Sequence, residues 1–111
     1  MTDAPQTEKR LRVSLDDVME RMGLTWEDIE PYKRELERYL DGYALAEVRK
    51  GQGVTQRELA QRIGVSQNRI SKIEKGEFHK TQLVTVRKYI EALGGRLDII
   101  ATFGGQRIPL R

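Results

Sequence analysis

Cysteine is absent from the 111 residues, so neither a disulfide nor a thiolate metal site can support the fold, and nothing points to an oxidising compartment. There is one histidine, His79, and it lacks the partners a metal site would need. No apolar run approaches the roughly 20 residues of a membrane span, and residues 1–12 lack the apolar centre of a secretion signal, so the expected location is the cytoplasm, away from any membrane. No nucleophile–base pair, metal cluster or phosphate loop with a Walker-type lysine is present, which leaves no catalytic residue, metal or cofactor to expect. The length suits one small domain with appendages and is too short for two ordinary domains.

What the chain has is charge, 33% of its residues, unevenly spread. Residues 14–41 hold nine acidic and four basic side chains, a net −5. Residues 44–80 hold eight basic and four acidic, a net +4, and residues 81–111 add +3. A basic body therefore carries an acidic N-terminal segment.

Local signals divide the chain. Residues 1–13 have little to bury and read as a disordered or extended arm. Ser14 can cap a short helix over 15–22 that Gly23 ends, and Thr25 with Asp28 starts another turn. Pro31 fits the first position of a longer helix reaching about residue 50, with Tyr32, Leu36, Tyr39, Leu40, Tyr43 and Leu45 as a core-facing stripe. Gly42 weakens that helix and marks a point where it can break; "KGQG", residues 50–53, reads as a loop. These readings place a helical extension over 14–43.

The body follows over 44–95. Thr55 and Glu58 form a capping box for a helix through Ile63, and Gly64 ends it. Ser66 caps a second helix that stops near Gly76. Thr81 would cap a third, with Leu83, Val86, Ile90 and Leu93 on one face and Gly94–Gly95 as its terminator. Over 96–111, Leu97, Ile99, Ala101 and Phe103 alternate with Arg96, Asp98, Ile100 and Thr102 as a strand, and Gly104–Gly105 permits a hairpin into a second strand over 106–110.

Two helices joined by a turn as short as Gly64–Val65 must cross closely. Leu59 and Ile63 face inward from the first, Val65 plugs the turn, Ile70 and Ile73 face inward from the second, and Ala60 sits where a larger side chain would force the helices apart. This is the spacing of a DNA-binding helix-turn-helix. "TQRELAQRIGVSQNRISKIEKGE" resembles the lambda-repressor-like, or XRE-type, family over about residues 45–93. The fold class expected is mainly α, a helix-turn-helix bundle with an N-terminal helical extension and a C-terminal hairpin.

The resemblance implies roles at matching positions. Gln67, Asn68, Ser71 and Lys72 would read bases in the major groove, where Asn and Gln suit adenine and Lys suits guanine. Thr55, Gln56, Arg57, Arg69, Lys75 and Lys80 would hold phosphates. Arg49 and Glu74 match an ion pair tying the preceding helix to the recognition helix. A polar face of this kind is by itself usually only solvated; the complete motif around it favours DNA.

The ends resemble those of the HigA-type antitoxins of type II toxin–antitoxin systems, most closely in "VRKYIEALGGRLDIIATF". That resemblance implies a homodimer that binds operator DNA, represses its own operon and neutralises a RelE/HigB-like ribonuclease toxin. Dimerisation would use Leu97, Ile99, Ala101 and Phe103, since a lone hairpin is marginal in water; the alternative is a hairpin folded over its own helices. Toxin binding would use Asp16, Asp17, Met19, Glu20, Trp26, Ile29 and Glu35, with Glu27, Glu30, Glu37 and Leu15 beside them. A stand-alone XRE repressor and a coactivator-type protein–protein adaptor are the other functions to weigh. The neighbouring gene separates the first from the antitoxin, and operator binding by Asn68 and Lys72 variants tests the second.

Overall fold

The computed structural model describes residues 14–110; the arm expected over 1–13 lies outside the described residues. In the acidic extension, α1 (Leu15–Met22) is capped by the Ser14 hydroxyl, which accepts from the Asp16 N–H at 3.1 Å. Thr25 and Asp28 cap each other reciprocally to start the single turn α2 (Trp26–Ile29). A 3-10 turn with Pro31 near its start leads into α3 (Lys33–Gly51).

Helix α3 does not break at Gly42. It runs through the expected domain boundary at 43/44, and the helix extends to Gly51, leaving only Gln52 and Gly53 as the turn. Glycine is needed at 42 for a packing reason: a Cβ there would lie 2.5 Å from the Gly76 nitrogen and 2.7 Å from the Glu74 oxygen. Gly76 in turn lies against the Arg38 carbonyl, so α3 and the chain leaving the recognition helix meet backbone to backbone.

The motif helices are α4 (Gln56–Ile63) and α5 (Gln67–Glu74), separated by Gly64 at φ 72°. Thr55 and Ser66 cap them, accepting from the Glu58 and Arg69 N–H groups at 3.0 and 3.2 Å; each such cap stabilises by about 1 kcal/mol. After a second 3-10 turn comes α6 (Leu83–Ala92). Its cap position is Gln82, because the Thr81 hydroxyl instead donates back to the Glu77 carbonyl at 3.3 Å.

Leu59, Ile70, Ile73 and Tyr89 are fully buried, joined by Val54, Ala60, Val86 and Leu93. The inward face of α6 therefore centres on Val86, Tyr89 and Leu93, with Ile90 packed at the edge, while Leu83 is exposed. Tyr89 keeps this place because its hydroxyl has a buried partner, which a polar-tipped side chain requires. Tyr32, Tyr39 and Tyr43 are exposed instead of core. Met19 and Ile29 are 6% and 3% exposed, so neither is available as a toxin contact; burial within the extension has claimed both.

β1 (Ile99–Phe103) and β2 (Gln106–Leu110) pair antiparallel, with Ile99 opposite Leu110, Ala101 opposite Ile108 and Phe103 opposite Gln106. Leu97 is half-buried and packs against the body's own core. Beyond it, Phe103, Ile108 and Leu110 are exposed. On a pleated pair, Ile99, Ala101, Phe103, Ile108 and Leu110 share one face.

Candidate nucleic-acid interface

Burial of Ile70 and Ile73 fixes how α5 rolls on the body, and everything else about the site follows from that roll. Gln67, Asn68 and Arg69 are exposed in the first turn, Ser71 and Lys72 are half-buried, and Lys75 is exposed at the end. Asn68, Arg69 and Lys72 line a shallow polar concavity with Ser66, Lys80, Thr81 and Gln82. The 3-10 turn thus brings Lys80 alongside the recognition helix, although its ammonium also lies 3.8 Å from Glu77. Arg57 and Lys75 stand outside that concavity.

Beneath the helix lies one carboxylate with four donors. Glu74 accepts from Arg49 Nε at 2.7 Å and Nη2 at 2.9 Å, from Gln56 Nε2 at 2.9 Å, and from the Tyr89 hydroxyl at 2.6 Å. Arg49 Nη1 also donates to the Val54 carbonyl at 2.7 Å. Both side chains are nearly buried, 8% and 6% exposed, and a bidentate fork of this kind is the strongest ion-pair geometry available. A carboxylate at a helix C-terminus opposes the helix dipole, so the donors must offset that as well as desolvation. Burial alone would push the Glu74 carboxyl up; the bonds from Arg49, Tyr89 and Gln56 outweigh it and hold the carboxyl below the usual range. Burial, and then the bond to Glu74, push the Tyr89 phenol far up.

Gln56 is also engaged within the protein. Its amide nitrogen serves Glu74, and its oxygen accepts from Gln67 Nε2 at 3.4 Å, which links the starts of both motif helices to the buried pair. The Thr55 hydroxyl is engaged as a cap, and the Thr55 N–H donates to Glu58 at 2.9 Å. That backbone bond holds the Glu58 carboxyl below its ordinary range. Sequence reasoning missed Tyr89 and the Gln56 link; the spacing of Tyr89 between Val86 and Leu93 was the available signal for the first.

Among the described residues, no helix is long and apolar enough to cross a membrane, and no group of His, Asp and Glu could hold a metal ion.

A family model described as Helix-turn-helix matches residues 45–100. A protein of Mycobacterium tuberculosis named as antitoxin HigA3 is 45% identical over 61% of this chain and 63% of its own length. A second, named as antitoxin HigA2 of the same organism, is 34% identical over 76% of this chain and 83% of its own. A solved HigA antitoxin, described as bending DNA through a unique dimerization, aligns with 45% identity and a TM-score of 0.51 over 59% of this chain and 85% of that one.

Proposed function

Because the chain belongs to the helix-turn-helix family, within which it is a relative of the HigA antitoxins, we propose that it is a sequence-specific DNA-binding antitoxin. In this reading a homodimer represses its own operon in the bacterial cytoplasm and neutralises a RelE/HigB-like ribonuclease. The chemistry is binding, with no bond made or broken.

The observation that carries the DNA reading is the two-sidedness of α5. Its Ile70 and Ile73 face is fully buried, while Asn68, Arg69 and Lys72 gather with Lys80 on the other side. Asn68, Gln67, Ser71 and Lys72 then read base edges, and Arg57, Arg69, Lys75 and Lys80 hold phosphates. Thr55 and Gln56 contribute mainly by fixing the angle between the motif helices. The apolar face of Ile99, Ala101, Phe103, Ile108 and Leu110, on which the last three are exposed, supports dimerisation through the hairpin, which a second copy would cover. The toxin element is the acidic extension, whose −5 charge repels phosphate and suits a basic ribonuclease.

The reading is tested by expressing the product of the adjacent gene with and without this chain. Growth arrest by that product, relieved by this chain, together with repression of a reporter driven by the chain's own upstream region, is the expected result. Repression without relief would leave a stand-alone repressor.

A further inference from the structure

Helices α1 and α3 leave an apolar groove between them on the outside of the extension. Leu15, Val18 and Met22 line it from α1, and Leu36, Tyr39 and Tyr43 from α3. Met22, Tyr39 and Tyr43 are 66%, 57% and 44% exposed, while Met19 and Ile29 are already buried. The groove is thus surplus to what holds the extension together. Its volume of about 410 Å³ takes a few protein side chains, and it lies open along the surface, unlike an enclosed small-molecule cavity.

Charge selects the occupant. Arg21 is the one charged residue in the lining, whereas the segment around the groove, residues 14–41, carries a net −5. Asp16, Asp17 and Glu20 are exposed on α1, and Glu35 and Glu37 on α3. Nucleic acid is repelled by such a surface. A protein segment with an apolar edge flanked by Lys and Arg meets both requirements, and exposed tyrosines offer it rigid apolar area with a hydroxyl at the tip.

We propose that this groove is the docking site for an amphipathic helix of a basic protein, the toxin partner, in the helix-in-groove manner. The proposal rests on the antitoxin reading and gives it a location. Tyr39, Tyr43 and Met22 anchor the apolar edge, and Asp17 and Glu20 on α1 steer its basic flanks. The groove lies on the same continuous helix as Arg49, and its side chains make no bond to the Glu74 centre.

The test uses the full chain and the protein encoded by the adjacent gene, with binding followed by surface plasmon resonance. Met22→Glu combined with Tyr39→Ala should weaken binding at least 100-fold while operator affinity stays within twofold of the parent, which also reports an intact fold. Asp17→Lys with Glu20→Lys, two exposed substitutions, should slow association at least tenfold at low salt and little at high salt. If the parent binds the adjacent product and both variants bind it equally well, the groove is not the docking site and the antitoxin reading survives. If the parent does not bind that product, the antitoxin reading fails and the proposal with it. Loss of the dimer in the groove variant, seen by light scattering, would make the groove an interface between copies and overturn the proposal.

Discussion

Gly42 in the middle of α3 and Gly76 just past the recognition helix are packed so closely that neither position has room for a methyl group. The contact ties the helix that carries the acidic extension to the end of α5. Gly42→Ala forces two backbones apart and should cost about 1–3 kcal/mol or more. The control lies on the same helix: a Cβ at Gly51 meets nothing within 4 Å, so Gly51→Ala should be neutral or stabilise by up to about 1 kcal/mol. In urea titrations the midpoint should fall for Gly42→Ala and hold or rise for Gly51→Ala.

Glu74→Gln leaves Arg49 buried and charged without its counter-ion, which should cost about 3–5 kcal/mol at pH 7. The pH dependence has a definite sign. The folded carboxyl titrates below the unfolded value of about 4.3, so its contribution is complete above that value and disappears as pH falls through the folded one. The gap in urea midpoint between parent and Glu74→Gln should therefore narrow from pH 7 to pH 3. Glu58 and Asp28 are also held low, by bonds from Thr55 and Thr25, but both remain in the variant and cancel in the comparison.

Asn68→Ala and Lys72→Ala should each reduce discrimination at one base pair by roughly 1–3 kcal/mol, with unchanged melting temperature. Gln56→Ala should behave differently. It removes a donor from Glu74 and the link to Gln67, so it should weaken operator and random DNA alike and also lower the melting temperature. Gel-shift titrations paired with calorimetry distinguish the two patterns.

Phe103→Asp with Ile108→Asp places charge on the exposed apolar positions of the hairpin and should convert the proposed dimer to a monomer with unchanged helical circular dichroism. Point substitution is the better probe here than truncation after Gly95, which would also remove Leu97 from the core. Light scattering reads the result.

The sequence reveals those features whose causes are local. Ser14, Thr25 with Asp28, Thr55 with Glu58, and Ser66 each begin a helix where a short oxygen-bearing side chain can reach a free N–H, and Gly104–Gly105 turns the hairpin between strands of matching length. The features it conceals depend on what comes from elsewhere in the chain. Gly42 looks like a weak point in a helix until Gly76 arrives against it. Neither the place of Tyr89 in the core nor the tie from Gln56 is visible until Glu74 supplies a partner for both. Met19 reads as a surface anchor because the sequence says which residues are apolar, not which neighbour covers them.

Sequence-specific DNA recognition by the face of α5 is the central claim, and fluorescence anisotropy of the full-length chain on duplexes tests it most directly. The chain is titrated into DNA from its own upstream region and into a shuffled duplex of equal composition, at several salt concentrations. The predicted result is at least 10³-fold tighter binding to the upstream sequence, with affinity on both duplexes falling as salt rises. Equal affinity for the two duplexes at every salt concentration would contradict it.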